Sequence, residues 1–460
     1  MTTTAPVTET PWRLGFTSIE AETAQPIDLA IDGTLPPEVK GTLYRIGPAR
    51  FEVGGERYGH WFDGDGMVHA IHLAAGRASY RSRFVATAGK RAEDAAGCRV
   101  FAGGFATPPP GGPLHRLRHA RPKNVANVNV VSHAGALYAL WEGGRPHRLD
   151  PDTLETIGED DLGGILGPHQ GFSAHPKSDP ASGELWNFGI TYGPRPRLTM
   201  YRGVGTGKWS EVARSALPHQ YMVHDMALTP TSVVLVLAPV ALAAVPIALL
   251  TGRKGYAQSL RWRPRWGTTL LVVDRKTGAA RTHQTDALMV FHLAGAREDG
   301  TSLEVDVCSY DDMSVIGDFG RVMRGKPAQA RPALERILVD SKGGVTRRRI
   351  AELPFEFPRP TGDGRIIGLT IGSGAGFLNS PVVVNPETGA AQVATLPAWQ
   401  FAGEVIPTAH RWGLTVVLDG RAGTSELHVI DLSNLSAKAI AMVRLPHAVP
   451  FGLHGNFVGA

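Results

Sequence analysis

Short segments of alternating or continuous apolar residues recur along the chain, and each is bounded by Gly, Pro, Asp or Asn. Examples are GTLYRIG, GALYALWEGG, GELWNFGITYG, WGTTLLVVDR, GLTVVLDG and ELHVIDL. Such segments are typical of half-buried or fully buried strands, and the clustered turn residues end them. The pattern therefore predicts many short β-strands joined by tight turns, with helix in the minority.

One turn chemistry recurs at the ends of these predicted strands. An Asx residue, whose side-chain oxygen can bond to the backbone two residues on, begins each turn, at Asp150, Asp274, Asp340, Asn385 and Asp431. The last three lie 45 and 46 residues apart (340 to 385, 385 to 431), the length of one four-stranded propeller blade. The interval from 150 to 274 is not a clean multiple, so insertions must interrupt the early blades. One closed propeller is favoured, and a pair of β-sandwiches is the alternative.

Composition agrees with a folded, turn-rich chain. Of 460 residues, 43% are hydrophobic, and 55 Gly and 34 Pro suit the many turns of an all-β fold. The two cysteines, Cys98 and Cys308, form neither a disulfide framework nor a metal-ligand spacing, so both are predicted to be small buried apolar residues. A net charge of +5 gives little support to nucleic-acid binding.

The N-terminus and domain count follow from the same features. Residues 1–12, MTTTAPVTETPW, lack the basic start and apolar run of a signal peptide and are predicted to be a disordered tail. Residues 13–460 are predicted to form a single propeller domain. Cytoplasmic location is expected by default.

Residues 233–266 combine an apolar run with a basic, aromatic one. The run VVLVLAPVALAAVPIALL contains Pro239 and Pro246, which would break a membrane-spanning helix twice, and VVLVL reads better as a strand. The following TGRKGYAQSLRWRPRWG has five cations, three aromatic residues and no acid. This composition predicts a surface that lies on a bilayer. The alternative is a buried strand followed by a solvated basic loop.

Four of the 17 histidines stand at the edges of apolar segments: His175, His224, His292 and His454. Each alone is more often a hydrogen-bonded core histidine than a metal ligand. Their separations of 49, 68 and 162 residues suit different blades that each deliver one imidazole to a common axis. Such a set would accept iron, copper, zinc or nickel. Histidines in polar or Arg-rich contexts are predicted to lie on the surface or in turns, namely His115, His119, His147, His283 and His410.

Carboxylates that accept the second ring N–H would fix each imidazole tautomer and offset the metal charge. Three glutamates occupy strand-like, partly apolar settings: Glu142, Glu356 and Glu404. The alternative for each is an exposed or salt-bridged carboxylate. Spacing by itself does not select these three from the other acidic residues.

From about residue 10 to the C-terminus, the chain resembles the carotenoid cleavage oxygenases, non-heme iron enzymes that split a carbon–carbon double bond with O₂. The resemblance rests on GTLYRIGPARFEVGGERYGHWFDGDGMVHAIHL, LYALWEGGRPHRLDPDTLET, SAHPKSDPASGELWNFG, VHDMALT, VFHLAG, FEFPRP, GEVIP and VPFGLHGN. It implies an all-β fold, a seven-bladed propeller with a helical and loop dome over the iron. It further implies that the four histidines of the apolar edges bind Fe(II) and that the three glutamates hold their rings. His175, whose motif carries no matching Glu, is the exception.

The resemblance has departures with consequences for the site. Val128 stands where many members have Thr, and its methyl groups could still crowd one iron coordination position. Gly295 and Arg297 replace an Asn and an aromatic residue after the third ligand, which puts that loop in doubt. Trp141 occupies the position of the Lys that grips a phenol in stilbene-cleaving members. Trp141 and Phe291 are assigned to the substrate tunnel. The segment FDGDGM is interpreted as a hairpin turn rather than a calcium loop.

The sequence therefore predicts an Fe(II)-dependent oxygenase, resting on a membrane, that cleaves a carotenoid or apocarotenoid with O₂ into two carbonyl products. No organic cofactor is expected, because no phosphate loop or flavin or nicotinamide fingerprint is evident, and no protein side chain is expected to be an obligatory acid or base. The alternative reaction is cleavage of a stilbene- or styrene-type phenylpropanoid. A non-catalytic propeller used as a binding scaffold is the alternative of a different class.

Overall fold

The five Asx turns prove to be structurally equivalent. In the computed structural model, which describes residues 10–168, 170–243, 246–372, 375–408 and 411–460, each turn joins the third strand of an antiparallel sheet to the next strand outward. The oxygen acceptors behave as predicted: the Lys276 backbone N–H donates to Asp274 Oδ1 over 3.0 Å, and that of Glu387 to Asn385 Oδ1 over 2.9 Å. The repeated turn therefore marks a repeated four-stranded unit.

Seven antiparallel sheets, five of four strands and two with additional strands, form a propeller, confirming the predicted all-β fold. Strands are given from the axis outward. Blade 1 is Gly455–Gly459, Gly41–Arg50, Asp65–Ala74, Arg77–Phe84 and Thr23–Leu29; blade 2 is Asn129–His133, Ala136–Leu140, His147–Leu149 and Thr156–Glu159; blade 3 is Lys177–Ser178, Leu185–Thr191, Arg197–Gly203 and Trp209–Ala216; blade 4 is Met226–Leu228, Ser232–Leu237, Thr268–Asp274 and Ala280–Thr285. Blade 5 is Met289–Asp299, Ser302–Tyr310, Ala333–Val339 and Val345–Pro354; blade 6 is Glu356–Pro360, Ile366–Thr370, Ser380–Val384 and Ala391–Val393; blade 7 is Gln400–Ala402 with Ile406–Pro407, then Trp412–Asp419, Thr424–Asp431, Ala441–Arg444 and Ile31–Gly33.

Both ends of the described chain close the ring. The C-terminal strand Gly455–Gly459 pairs with Gly41–Arg50 as the innermost strand of blade 1, and the early strand Ile31–Gly33 completes the outside of blade 7. Closure removes the exposed edge that an open sheet would present. The uneven interval from 150 to 274 has two causes. Blade 3 has its Asx turn at Asp179, between its first and second strands, and not between its third and fourth. Blade 4 carries the insertion 238–267.

Helices and short hairpins outside the blades form the dome on one face of the ring. The α-helices are Ala88–Ala96, Pro113–Arg118, Ile247–Leu250, Tyr256–Ser259 and Val315–Met323, and the 3₁₀ helices are Pro11–Phe16, Trp61–Asp63 and Pro264–Trp266. Two small sheets pair Glu52–Val53 with Glu56–Arg57 and Val240–Leu242 with Leu260–Trp262. Among the described residues, no helix is long and apolar enough to cross a membrane.

The boundary predicted for the disordered tail, after residue 12, lies too far along the chain, because the ordered structure already includes residues 11 and 12. Residues 1–9 lie outside the described part of the chain, so disorder there stays a prediction. Pro11–Phe16 is a 3₁₀ helix, and Trp12 is only 6% exposed, with its indole N–H donating to the Val322 carbonyl over 3.1 Å. Burial of this large ring and satisfaction of its polar N–H anchor the segment to the dome.

The membrane-facing assignment of residues 233–266 is wrong for its first third. Val233 and Leu235 pack against blade 3, while Val234 and Val236 pack towards blade 5, so the strand Ser232–Leu237 is buried on both faces. Sandwiching between two blades is why this segment is continuously apolar. From Ile247 onward the segment reaches the surface.

The histidines predicted to be superficial divide into three groups. His115, His119 and His283 are partly exposed. His147 contradicts the prediction, because it lies on the third strand of blade 2 and is 2% exposed. His410 is outside the described residues.

Candidate metal centre

Each blade delivers one residue to the axis at the dome end of its innermost strand. In most blades this residue lies just before the innermost strand or is its first residue. In blade 5 it is the fourth residue of the innermost strand, and in blade 7 it lies just before the short segment Ile406–Pro407. In blade order they are His454, Val128, His175, His224, His292, Glu356 and Glu404. Because inner strands of a propeller converge, residues distant in sequence meet here. This convergence carries the four predicted histidines into one group.

All four imidazoles direct Nε2 inward. The Nε2 atoms of His175 and His224 are 2.9 Å apart, and those of His292 and His454 are 3.3 Å apart. The four candidate ligand nitrogens all lie within 4.8 Å of one another. His175, His292 and His454 are buried, and His224 is partly exposed.

The three predicted glutamates meet the opposite ring nitrogens. His292 Nδ1–H donates to Glu356 over 2.5 Å and His454 Nδ1–H donates to Glu404 over 2.9 Å, while Glu142 contacts His224 Nδ1. A carboxylate on Nδ1 holds the proton there and leaves the Nε2 lone pair facing the centre. The geometry thus fits the orienting role expected of these residues.

His175 has a carboxylate neighbour that sequence reasoning missed. Asp225 Oδ1 lies 3.8 Å from His175 Nδ1, beyond hydrogen-bonding distance, and accepts from Lys177 Nζ over 2.8 Å. The backbone N–H of Leu293 donates to the second oxygen of Asp225 over 2.8 Å. The sequence feature that could have identified Asp225 is its position directly after His224 in VHDM.

Burial and neighbouring charges set the protonation of the rings. Burial lowers the pKa of His175 well below its usual value, and the other three imidazoles lower it further. Burial also lowers the pKa of His454 to about 4 despite the contact with Glu404. At His292 burial opposes the Glu356 carboxylate, which prevails and raises the pKa. His175 and His454 are therefore neutral near pH 7, the form that binds metal ions.

The Glu404 carboxylate is kept ionised by more than one group. Burial opposes its ionisation, but the Arg359 and Arg45 guanidinium groups and His454 hold its pKa well below the usual value. Arg45 donates to Glu404 over 2.5 Å, and Arg359 donates over 2.9 Å. His454 thus rests on a carboxylate that two arginines fix in place.

The donor set fits a first-row divalent ion. Metal–imidazole bonds of about 2.1 Å at right angles would separate adjacent nitrogens by about 3.0 Å, close to the 2.9 and 3.3 Å found. Nitrogen-only ligation of this kind suits iron, copper, zinc or nickel better than magnesium or calcium. The four-histidine group could therefore hold a metal ion of this kind.

An aromatic cavity, here called the dome cavity, lies against His224, His292 and His454. It is lined by Val128, assigned from the sequence to an open coordination position, and by Trp141 and Phe291, assigned to the substrate tunnel. Further lining residues are Trp61, Phe62, Phe105, Phe319, Phe357 and Phe377. Among the described residues that line this cavity there is no Lys or Arg.

One wall of the dome cavity depends on Asp63. The segment FDGDGM is a 3₁₀ turn followed by a strand, so its interpretation as a hairpin turn is wrong. Asp63 is fully buried, and the backbone N–H groups of Phe105 and Ala106 donate to its Oδ1 over 2.7 and 2.8 Å. These bonds hold the loop that carries Phe105 into the cavity.

The departures after His292 do not disturb the ligand. Gly295 and Arg297 belong to the continuous strand Met289–Asp299, which has register shifts on either side of Leu293. Arg297 points away from the site and pairs with Glu304 over 2.7 Å and Glu387 over 2.9 Å. Where the sequence left a loop in doubt, the structure has a continuous strand with two local irregularities.

Comparisons with known proteins agree with this geometry. The chain is 32% identical to the apocarotenoid-15,15'-oxygenase of Synechocystis, covering 93% of this chain and 92% of the relative, and 29% identical to a carotenoid cleavage oxygenase of Mycobacterium tuberculosis, covering 99% of both. It is 27% identical to the isoeugenol monooxygenase of Pseudomonas nitroreducens, covering 96% of both. The crystal structure of cobalt-substituted Synechocystis ACO superposes with a TM-score of 0.88 at 29% identity over 98% of each chain. Residues 16–459 match the family model described as retinal pigment epithelial membrane protein, and the chain therefore belongs to this family, the carotenoid cleavage oxygenases.

Proposed function

We propose that this protein is an Fe(II)-dependent oxygenase that cleaves a carbon–carbon double bond of a carotenoid or apocarotenoid with O₂, giving two carbonyl products. The observation that carries the proposal is a group of four imidazoles with inward-facing Nε2 atoms, three of which line an aromatic cavity. Family membership supports oxygenase chemistry over the alternative of a non-catalytic binding scaffold.

The protein residues would supply position and environment rather than acid–base catalysis. His175, His224, His292 and His454 would hold the iron, and bound Fe(II) would supply the redox chemistry that the reaction of O₂ with a closed-shell substrate requires. Glu142, Glu356 and Glu404 would orient three of these rings. Val128 borders the cavity beside His454 and, with its apolar methyl groups, would exclude water from an open position next to the ligands.

The wall chemistry of the dome cavity favours a polyene. Trp141, Phe291 and the other aromatic rings offer dispersion contacts to an extended apolar chain. A phenolate would need a cationic or strongly donating partner, and none of the described lining residues is a Lys or Arg. The cavity thus suits a carotenoid or apocarotenoid better than an ionised phenolic substrate.

Cleavage of a stilbene- or styrene-type phenylpropanoid is the second candidate. It is supported by the similarity to isoeugenol monooxygenase over 96% of each chain. Tyr310 and Asn127 provide polar atoms at the wall of the dome cavity, and Tyr310 already donates to Glu356 over 3.2 Å. A neutral phenol could therefore be accommodated, although without a charged anchor.

The substrate class is tested with iron-loaded protein in air. Apocarotenals of different lengths, isoeugenol and hydroxystilbenes are supplied in parallel, and carbonyl products are identified by mass. We expect two cleavage products from an apocarotenal and much slower turnover of the phenolics. Cleavage of isoeugenol or a stilbene alone would reverse the assignment, and no cleavage of any substrate by iron-replete protein would refute the enzyme proposal.

We also propose peripheral attachment to a membrane, with the rest of the protein in the cytoplasm. Ile247 and Leu250 are 65% and 59% exposed on the dome, beside the exposed cations Arg253 and Lys254. The neighbouring helix Pro113–Arg118 adds Leu114 and Leu117, 61% and 55% exposed. Apolar side chains rimmed by cations suit an anionic bilayer surface.

Proximity to the dome cavity supports this orientation. A Cβ on Gly252 would lie 2.5 Å from the Arg116 carbonyl oxygen, so the two exposed helices are in close backbone contact. Tyr256, in the same segment, lies 5.7 Å from the ring of Phe105, which lines the cavity. An apolar substrate dissolved in the bilayer would therefore travel only a short distance from the membrane to the dome cavity.

A further inference from the structure

Two cavities meet at the four imidazoles from opposite sides. The dome cavity touches His224, His292 and His454. A second cavity, here called the axial cavity, touches His175, His292 and His454. The imidazoles therefore form the partition between two compartments.

The axial cavity is polar where the dome cavity is aromatic. It is lined by two cations, two carboxylates and two amides, namely Lys177, Arg359, Asp225, Glu404, Asn129 and Asn456. Its inner wall is buried, with Asp225 3% exposed, whereas the Lys177 side chain is 31% exposed and Ser178 is at the surface. The cavity thus leads from the imidazoles to solvent along polar walls.

We propose that the metal ion enters and leaves the centre through the axial cavity, while the dome cavity is reserved for the apolar substrate. This inference rests on the proposed metal function. A hydrated divalent cation that crossed the aromatic dome would shed its water without replacement, whereas charged and amide walls replace lost water contacts. The two routes separate a strongly hydrated ion from a water-insoluble substrate.

Asp225 would be the first oxygen that an incoming ion meets beside the imidazoles. Its Oδ1 lies 3.8 Å from His175 Nδ1 and accepts from Lys177 Nζ over 2.8 Å. The carboxylate is thus at the inner end of the cavity, and the Lys177 ammonium group covers it from the solvent side. A lysine can turn away as a cation arrives, because its long stem carries several rotatable bonds.

Gly295 offers a place to obstruct this cavity without touching a ligand. It lines the axial cavity, and a Cβ built there meets no atom within 4 Å. Gly295→Trp would therefore fill empty space. The matched control is Gly362→Trp, at an exposed turn where a Cβ also meets nothing within 4 Å. Leu378→Trp narrows the dome cavity instead.

The test measures metal exchange rather than turnover. Metal-free protein is mixed with Co²⁺, binding is followed by visible absorbance, and release is followed after addition of a chelator. We expect Gly295→Trp to slow both rates by about tenfold or more, within the range over which association rates at one site vary, with an unchanged Kd. The other two variants should exchange Co²⁺ at the parent rate.

The outcomes separate this inference from the proposed function. Parent rates in Gly295→Trp, or a slowed rate in Leu378→Trp, would overturn the axial route while leaving the metal centre intact. Parent protein that binds no Co²⁺ at equilibrium would refute the metal centre itself. Should Gly295→Trp fail to fold, Asn456→Trp obstructs the same cavity and is subject to the same expectations.

A charge variant tests the route independently of size. Lys177→Gln removes one cation from a cavity whose described charged lining residues balance, so the cavity becomes net negative. We expect faster Co²⁺ association at low ionic strength and a gain that fades as salt screens the charge. A rate that is unchanged or lower at low salt would contradict entry past Lys177.

Discussion

Replacing Ile247 and Leu250 with Asp should release the protein from liposomes. Both side chains belong to the dome helix Ile247–Leu250 and are 65% and 59% exposed, so neither contributes much to the core. Leu249 of the same helix is partly buried against the core cluster that contains Val240 and Leu260, and it is therefore left unchanged. The double variant should fold normally and lose only the contact with lipid.

The expected effect follows from the exposed area. Complete burial of an Ile or Leu side chain is worth about 1.5–3 kcal/mol, so insertion of the roughly 60% that is exposed contributes about 1–2 kcal/mol for each residue. Loss of both removes about 2–4 kcal/mol, a fall of about 30-fold to 1000-fold in the partition coefficient. Repulsion between Asp and anionic headgroups adds to the loss.

Cosedimentation with liposomes of mixed neutral and anionic lipids measures the partition coefficient. Ile157→Asp is the matched control, because Ile157 is also 65% exposed but lies on the outermost strand of blade 2. Cleavage of a short, water-soluble apocarotenoid should be retained in both proteins. Unchanged liposome binding of the double variant, or an equal loss in Ile157→Asp, would refute the assignment of this surface.

Three further predictions concern the centre and the fold. His224→Ala or His292→Ala should remove bound iron and activity together, as measured by metal analysis and product formation; full activity in either variant would count against the ligand set. Glu356→Gln should weaken metal binding about 10- to 100-fold, because the His292 ring loses the carboxylate that it contacts over 2.5 Å; titration with Co²⁺ measures this, and unchanged affinity would argue against an orienting role. His147 is 2% exposed, and burial lowers its pKa to about 4. In the unfolded chain the same imidazole takes up a proton near pH 6.5. The free energy of unfolding is therefore unaffected by this group above pH 6.5 and falls by up to about 3 kcal/mol as the pH drops towards 4. His147→Leu should therefore lose less thermal stability than the parent between pH 7 and pH 4.5, and equal losses would contradict the assignment.

The sequence by itself determined the strand-rich architecture and much of the centre. The Asx turns were readable because their chemistry is local: one side chain bonds to the backbone of its own turn, so the blade period shows directly in the sequence. The four histidines were recognisable by their places at the edges of apolar segments, and the three glutamates by the motifs of the family. Local patterns of this kind can be recognised in the sequence without knowledge of the fold.

Tertiary structure decided what depends on neighbours distant in sequence. Only packing between blades 3 and 5 shows that Ser232–Leu237 is a core strand, because a continuous apolar run is equally consistent with burial and with a lipid surface. Burial of His147, the anchoring of Trp12, and the polar cavity behind the imidazoles also arise from contacts between blades or between blade and dome. Asp225 faces His175 because two inner strands converge at the axis, and no spacing along one chain encodes such a meeting.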